Sequence, residues 1–233
     1  MDRKVKMVLV LLISVVVVVA ALEYQQNQPV KLQGVQINDY QGKKLTPINN
    51  MPKTSIKGTQ YVNESNYTLE VTGLVQNPRN YTYAEVLNHT AYQKVVTLNC
   101  VDGWSATVLW QGILVSDLLK EAKPMPTGTV VIFTAADNYT TSLPIEYLYN
   151  NNILLAYKMN NVTIPPEYGF PFQLVAESKW GYKWIKWVTK IEVSNNTNYT
   201  GYWESRGYTN GGNLNQSFSG SLNWNDFNNV KYK

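Results

Sequence analysis

Residues 98–119 read LNCVDGWSATVLWQGILVSDLL, and the pattern of this stretch is the strongest indication of the fold. The apolar, β-branched run over residues 94–99 predicts a buried strand that ends at Cys100. The next residues, including Gly103, predict a turn. A cysteine at a strand end, followed by a glycine-containing turn, places a thiolate close to backbone amides. Cys100 is therefore a candidate for binding a cofactor or a metal.

The sequence around this stretch predicts more strands than helices. Thr82 and Glu85 have the spacing of a capping box, which predicts a short helix that ends at Asn88. Ser116 is the predicted N-cap of a second helix, which ends before Pro124. Apolar or alternating runs predict strands at residues 67–75, 94–99, 129–134, 153–157, 172–176 and 184–193. We therefore expect one mixed, β-rich domain of the α+β class.

The composition excludes several classes of protein. Of the 233 residues, 44% are hydrophobic, 12% are aromatic and 15% are charged, and the net charge is +4. This balance excludes a disordered chain, a coiled coil and a nucleic-acid-binding protein, which needs a clustered basic face. One cysteine, Cys100, and one histidine, His89, cannot form a disulfide, a zinc finger or a haem-attachment motif within one chain.

The N-terminal residues predict an exported protein. A basic start over residues 1–6 precedes an apolar run over residues 7–22. A helix of that run spans about 24 Å, short of the roughly 30 Å of a hydrocarbon core, which is typical of a signal peptide or a short membrane anchor. We expect four parts: a signal peptide or membrane anchor (1–22), a polar tether and N-terminal arm (23–54), the folded domain (55–206) and a Gly/Asn-rich tail (207–233).

Nine Asn-x-Ser/Thr sequons support export. Each one alone is weak evidence in an asparagine-rich chain, but together with the apolar leader they favour a glycoprotein of the cell surface or a periplasm-like space. They begin at Asn63, Asn66, Asn80, Asn88, Asn138, Asn161, Asn195, Asn198 and Asn215.

A second block of sequence combines lysines with aromatic side chains. Residues 169–193 read GFPFQLVAESKWGYKWIKWVTKIEV, and GYWESRG occupies residues 201–207. Lysines among aromatic residues suit a phosphate or a planar anionic ring. With residues 98–119, these blocks resemble the sulfite-oxidase-type molybdopterin-binding oxidoreductase family in order, spacing and local sequence. The resemblance covers residues 55–206 and is greatest to the branch of the periplasmic methionine-sulfoxide reductase catalytic subunit.

The resemblance implies a mononuclear molybdenum cofactor with a single pyranopterin. It implies that the sulfur of Cys100 is a molybdenum ligand, and a soft thiolate suits that metal. It also implies a pocket hydroxyl at Tyr139, on the substrate side of the metal. Matching the family's cofactor-binding stretch residue by residue gives Gly181, Tyr182 and Lys183, with Lys186 close behind.

Two positions differ from the pattern of that family. The family carries a histidine in its N-terminal arm, and the cation that could substitute for it here is Lys57. The family arginine near the cofactor phosphate corresponds to Gln173, which donates a hydrogen bond but carries no charge. We expect the missing positive charge to come from Lys179, Lys183 and Lys186.

The resemblance also implies the reaction class and the partners. It implies a molybdenum-dependent oxidoreductase that catalyses a two-electron oxygen-atom transfer on a small oxo substrate such as a sulfoxide. The cofactor supplies such redox chemistry, while the protein supplies orientation and electrostatics. Because the chain has no haem motif, we expect electrons from a separate partner, either a membrane cytochrome or a quinone-linked protein.

The residues alone also allow two other catalytic arrangements. A serine hydrolase would need His89, which we expect instead to be a solvated loop residue. Asp102 and Asp137 could form an acid–base pair. Asp102 could instead cap the turn after Cys100.

The main alternative is a cofactor-free surface module of the same fold that binds glycans or acts as a scaffold. Sugars stack on aromatic faces, and the chain has seven tryptophans. The two hypotheses differ in where the tryptophans lie. A glycan-binding surface predicts an exposed row, whereas the enzyme predicts that Trp104 and Trp184 are buried beside Cys100.

Overall fold

The structure is a computed structural model that describes residues 35–219. Its helices are α1 (Tyr83–Leu87), α2 (Val115–Ala122) and α3 (Ile145–Asn150). Its strands are β1 (Asp39–Tyr40), β2 (Lys43–Lys44), β3 (Thr68–Gly73), β4 (Arg79–Thr82), β5 (Tyr92–Asn99), β6 (Ser105–Leu114), β7 (Val130–Ala135), β8 (Thr140–Pro144), β9 (Leu154–Met159), β10 (Val162–Thr163), β11 (Gln173–Val175) and β12 (Val188–Ser194). Strands outnumber helices in this part of the chain, and the predicted α+β class is confirmed.

Most of these strands belong to two five-stranded sheets. The first has the order β10-β9-β6-β5, with β11 also paired to β9, and all of its pairs are antiparallel. The second has the order β4-β3-β12-β7-β8, in which β12 is parallel to β3 and antiparallel to β7. A single hydrophobic cluster contains buried residues from both sheets, such as Val108, Trp110, Phe133 and Ile191. One core therefore supports both sheets.

The hairpin of β5 and β6 presents Cys100 at its turn. The pairing runs from Tyr92 opposite Gly112 to Asn99 opposite Ser105. The backbone N–H of Cys100 donates to Trp104 O at 2.9 Å, and the N–H of Gly103 donates to Cys100 O at 3.1 Å. Gly103 has φ of +86°, a conformation that favours glycine. The predicted strand, cysteine and glycine turn are therefore present as expected.

The turn between β7 and β8 is the second loop that shapes the site. The N–H of Ala135 donates to Tyr139 O at 2.9 Å, and the N–H of Asn138 donates to Ala135 O at 3.0 Å. Asn138 has φ of +66°, which asparagine adopts more readily than most residues. The Asp137 carboxylate accepts a hydrogen bond from the N–H of Tyr139 at 3.0 Å and so closes the turn.

The predictions for the helix ends had mixed outcomes. The capping box is confirmed, because Thr82 Oγ1 accepts from the N–H of Glu85 while the Glu85 carboxylate accepts from the N–H of Thr82. The predicted cap of the next helix is wrong. The N-cap of α2 is Leu114, no side chain caps it, and Ser116 lies buried inside the first turn.

The predicted strand at residues 184–193 is too long at its N-terminal end. Residues Gly181–Lys183 form a 3₁₀ turn, and Trp187 has φ of +52°, which a strand does not allow. The strand therefore begins at Val188. Residues 184–187 lie outside the strand and line the site.

Residues flanking the predicted domain pack against its surface. In the N-terminal arm, Ile48 O and Met51 O both accept hydrogen bonds from the Tyr168 hydroxyl at 2.9 Å. In the tail, Gly211 O accepts from Lys179 Nζ at 2.9 Å, and Asn213 Oδ1 accepts from the same nitrogen at 2.5 Å. The predicted leader, residues 1–22, lies outside the described residues. Among residues 35–219, no helix has the length and hydropathy needed to cross a membrane.

A buried ion pair joins the segments around the site. Lys183 Nζ donates to Glu204 Oε1 at 2.6 Å, and both side chains are fully buried. Thr141 Oγ1 donates to the same oxygen at 2.6 Å, and Lys183 Nζ also donates to Asn210 O at 2.9 Å. Burial lowers the pKa of Lys183, and the neighbouring carboxylate opposes that shift. The pair thus ties the 3₁₀ turn at residues 181–183 to β8, to the turn at Glu204 and to the tail.

We predict that breaking this pair destabilises the protein strongly. Glu204→Gln leaves the Lys183 ammonium buried without its anion, and loss of one partner of a buried pair costs about 3–5 kcal/mol. Replacing both partners with Lys183→Met and Glu204→Leu removes both charges, so the double variant loses less than the sum of the single variants. Urea unfolding measures these free energies.

The pair Lys120–Asp117 is the matched control. Its Lys Nζ to Asp Oδ1 distance is 2.9 Å, but the Lys120 side chain is 63% exposed. Lys120→Met therefore leaves the free energy of unfolding nearly unchanged. Equal losses for Lys120→Met and Glu204→Gln would contradict a special role for the buried pair.

Candidate active site

The described residues enclose a cleft of about 1280 Å³. Typical ligand pockets have volumes of about 300–1,000 Å³, so the cleft can hold a cofactor together with a substrate. Five segments supply most of its walls: the N-terminal arm at residues 51–56, the turn after β5 at residues 100–104, the β7–β8 turn, residues 181–187, and residues 202–208. Leu98, Tyr168 and Gln173 complete them.

Cys100 is a half-buried free thiol in the wall of this cleft. Burial raises its pKa to about 11, so the thiol is neutral near pH 7 when no metal is bound. Its Sγ donates a weak hydrogen bond to the Asp102 carboxylate at 3.6 Å. Asp102 therefore contacts the thiol, which the prediction of a simple turn cap did not include.

Gly181 brings a second backbone segment against Cys100. A Cβ at Gly181 would lie 3.3 Å from Asn99 O and 3.4 Å from the Cα of Cys100, tighter than most Cβ contacts. Asn99 and Trp180 also form a parallel β-bridge. A side chain at this position would force its neighbours to shift by a few tenths of an ångström, so glycine allows this close approach of the two backbone segments.

Lys186 is a half-buried cation in the wall of the cleft. Its Nζ donates to Thr54 O and to Glu167 O, the latter at 3.2 Å, and lies 4.7 Å from the ring centre of Trp187. Burial lowers its pKa to about 8, while the charges of Asp137 and Cys100 raise it. A lysine with that pKa can release or take up a proton near neutral pH.

Tyr139 and Tyr182 form one aromatic side of the cleft. The Tyr139 hydroxyl donates to Tyr182 O at 2.5 Å, and the Tyr182 hydroxyl donates to Thr209 O at 2.7 Å. Burial raises the pKa of Tyr139 well above its usual value. The Tyr139 hydroxyl is thus a proton donor already engaged with the backbone. Its ring packs against Tyr202, with 5.6 Å between ring centres.

Sequence patterns assigned no role to several other residues that line the cleft. Arg206 stacks over Tyr202, with its guanidinium carbon 3.7 Å from the ring centre. Trp203 also lines the cleft, as does Lys53, which pairs with Glu167 at 3.3 Å. The sequence signal for Arg206 and Trp203 is the motif GYWESRG. This motif contributes to the family resemblance, but the resemblance assigns no function to either residue.

The structure brings most of the predicted site residues together. Cys100, Tyr139, Gln173, Gly181, Tyr182 and Lys186 all line the cleft. Two predicted residues do not line it: Lys183 is committed to the ion pair with Glu204, and Lys57 is exposed to solvent. Lys179 likewise binds the tail rather than the cleft. Of the predicted lysines, Lys186 alone supplies its charge to the cleft.

The tryptophans follow the arrangement expected of an enzyme. Trp184 is buried, Trp104 is half-buried, and both line the cleft with Cys100. Of the six tryptophans among residues 35–219, each is buried or half-buried. The described part of the chain therefore lacks the exposed row of tryptophans that a glycan-binding surface predicts.

The prediction for His89 as a solvated residue is wrong. Its side chain is 14% exposed, and its Nε2 lies 3.1 Å from Glu121 Oε1. Its Nδ1 lies 3.0 Å from Glu85 O, so both ring nitrogens face oxygen acceptors. Its role is to hold α1 against α2.

Asp102 and Asp137 both line the cleft. No cluster of three His, Cys, Asp or Glu side chains that could hold a metal occurs in residues 35–219.

The donor set of the cleft fits a molybdenum–pterin cofactor. Such a group needs one protein thiolate for the metal, backbone that approaches closely, and a polar cavity for the pterin. Cys100 offers the thiolate, Gly181 offers the close backbone, and Gln173 and Lys186 offer a donor and a cation. A metal at Cys100 would replace the thiol proton, despite the raised pKa.

Comparison with known proteins agrees with this fit. A family model described as oxidoreductase molybdopterin binding domain matches residues 56–203. The chain is 32% identical to the uncharacterized oxidoreductase YuiH of Bacillus subtilis, over 64% of this chain and 75% of that protein. It is 30% identical to the protein-methionine-sulfoxide reductase catalytic subunit MsrP of Gluconobacter oxydans, over 54% of this chain and 46% of that protein.

A solved structure supports the fold. The sulfane dehydrogenase SoxCD of Paracoccus pantotrophus matches with a TM-score of 0.59 and 22% identity, covering 72% of this chain and 51% of that chain. The chain thus spans about half of SoxCD and of MsrP. Because the family model spans more than half of the 233 residues, the chain belongs to the oxidoreductase molybdopterin-binding-domain family, with the sulfite-oxidase-type fold and a molybdenum–molybdopterin cofactor.

Proposed function

We propose that the protein is an exported oxidoreductase that reduces a sulfoxide or a related small oxo compound. The observation that carries this proposal is the single thiol, Cys100, in the wall of a large cleft with Gly181 packed against it. Reduction of a sulfoxide takes up two electrons and two protons and yields a thioether and water. The name of the Gluconobacter relative, protein-methionine-sulfoxide reductase catalytic subunit, supports a sulfoxide as the oxo group that is reduced.

Four cleft residues would hold the cofactor in this proposal. Cys100 Sγ would bind the metal, and the backbone of Gly181 and Tyr182 would contact the pterin. Gln173 is buried at 4% exposure, lines the cleft and can donate a hydrogen bond to the cofactor from its side-chain amide. When bound, the cofactor supplies the two-electron redox chemistry.

Other residues bind the substrate and supply protons. Lys186 Nζ holds a proton that it can give up near neutral pH, because its pKa is about 8. Tyr139 fixes the position of the β7–β8 turn through its bond to Tyr182 O, and its ring forms the wall where the substrate binds. Tyr202 and Trp203 line the cleft mouth and exclude water from it.

The setting of the reaction is part of the proposal. We infer that residues 1–22 direct export, as a signal peptide or as a membrane anchor, and that the remaining parts are the tether (23–54), the domain (55–206) and the tail (207–233). The single histidine, His89, contacts Glu121 and so supports the fold rather than offering a haem ligand. We therefore propose that electrons come from a separate membrane cytochrome or quinone-linked protein, which agrees with the word subunit in the name of the Gluconobacter relative.

We predict that Cys100→Ser loses both molybdenum and sulfoxide reduction while the protein stays folded. A serine hydroxyl is a harder, weaker ligand for this metal than a thiolate. Loss of a residue that merely supports a metal ligand lowers metal affinity about 10- to 100-fold. We expect loss of the ligand itself to lower the metal content more than that. Metal analysis and dye-linked turnover of protein from the native host measure the two effects.

Ser105→Ala is the control for this experiment. Ser105 is exposed at the start of β6, five residues beyond Cys100, and does not line the cleft. This variant keeps its molybdenum and its activity. A Cys100→Ser protein with normal turnover would contradict the proposed reaction.

We also predict that Cys100 reacts slowly with iodoacetamide in the cofactor-free protein. Burial raises its pKa to about 11, and the thiolate is the reactive form. At pH 8 only about one thiol in a thousand is then ionised, and the rate rises about tenfold per pH unit up to pH 10. Glutathione serves as the exposed-thiol control. A rate that levels off between pH 8 and 9 would contradict the effect of burial.

A further inference from the structure

The sequon asparagines share a structural property that several other asparagines lack. All nine sequon asparagines fall within residues 35–219, and every one of them is exposed. Several asparagines outside sequons are instead half-buried or buried: Asn77, Asn99, Asn151, Asn160 and Asn213. N-linked glycans are bulky and hydrophilic, so they require exposed attachment points. The folded surface is therefore compatible with a glycan at each sequon.

Asn138 differs from the other eight in its place. It lies in the β7–β8 turn between Asp137 and Tyr139, and both of these neighbours line the active-site cleft. Asp137 is buried, Tyr139 is half-buried, and Asn138 is exposed, so the turn has its inner side in the cleft and Asn138 at the rim. Its φ of +66° and the hydrogen bonds of the turn fix this arrangement.

The side chain of Asn138 is free to carry a modification. Its amide makes no hydrogen bond to any of residues 35–219. Two other sequon asparagines are engaged by neighbours: Asn63 Oδ1 accepts from the N–H of Ser65 at 3.0 Å, and Asn161 Nδ2 donates to Val35 O at 3.2 Å. The Asn138 amide nitrogen therefore loses no contact when it is glycosylated.

We propose that Asn138 carries an N-linked glycan, which stands at the rim of the cleft and restricts the site to small soluble substrates. The attachment forms a bond between Asn138 Nδ2 and the glycosyl carbon of a phosphate-activated donor. The phosphate leaves, one amide proton is released, and nothing is oxidised or reduced. The proposal rests on the export and the reaction proposed above.

The physical reason for the restriction is size. A solvated glycan at the rim cannot be displaced without desolvation, and the surface of a folded protein would have to displace it to reach Cys100. A free sulfoxide of a few atoms passes beside it. The glycan thus favours small oxo compounds over sulfoxides held within a protein.

Glycopeptide mass spectrometry of the protein from its native host tests the attachment. We expect a glycan mass on the peptide that contains Asn138, and its loss in Thr140→Ala, which removes the sequon. Thr140→Ser keeps the sequon and is the matched control. A bare Asn138 beside occupied sequons elsewhere would overturn this inference and leave export intact. A bare Asn138 in a protein with no glycan at all would also overturn it.

Substrate competition tests the restriction. The measured quantity is kcat/KM for an oxidised unfolded protein relative to kcat/KM for free methionine sulfoxide. We expect this ratio to rise by about tenfold or more in Asn138→Asp and Thr140→Ala, and to stay constant in Thr140→Ser and in Asn195→Asp at a sequon away from the cleft. An unchanged ratio in the first two variants would overturn the restriction. A wild-type enzyme inactive on both substrates would contradict the proposed reaction, with the attachment still decided by mass spectrometry.

Discussion

The ion pair between Lys183 and Glu204 is the interaction on which the geometry of the cleft depends. It is fully buried, with 2.6 Å between Nζ and Oε1, and Thr141 donates to the same carboxylate oxygen. Each partner belongs to a segment that lines the cleft: Lys183 follows Gly181 and Tyr182, and Glu204 follows Trp203. A buried pair favours one arrangement, since any other leaves a charge unpaired. The pair therefore joins two of the segments that form the walls of the cleft.

Within that frame, the cleft combines a neutral thiol with a readily deprotonated lysine. Burial disfavours the charged form of both side chains, so it raises the pKa of Cys100 and lowers the pKa of Lys186. A bound metal reverses the first shift, since coordination replaces the thiol proton. The carboxylate of Asp137 opposes the second shift. The cleft thus presents a thiol that is neutral until a metal replaces its proton, together with a lysine that can release a proton near neutral pH.

Local patterns predicted much of the fold, and long-range contacts explain what they missed. The capping box at Thr82 and the strand that ends at Cys100 follow from adjacent residues, and both are present. β6 was missed because its buried positions do not alternate, as expected of a strand covered on both faces. The predicted cofactor contact of Lys183 assumed a free cation. Its partner Glu204 lies 21 residues further on, and no local pattern reveals that pairing.

The central claim is that Cys100 is the protein ligand of the molybdenum. X-ray absorption at the molybdenum edge of the protein from its native host tests this claim most directly, because it counts the sulfur atoms bound to the metal. We predict three sulfur ligands in the wild type, two from the pterin and one from Cys100. We predict no third sulfur in whatever metal Cys100→Ser retains. A wild-type spectrum with only two sulfur ligands, or three sulfurs in Cys100→Ser, would contradict the claim.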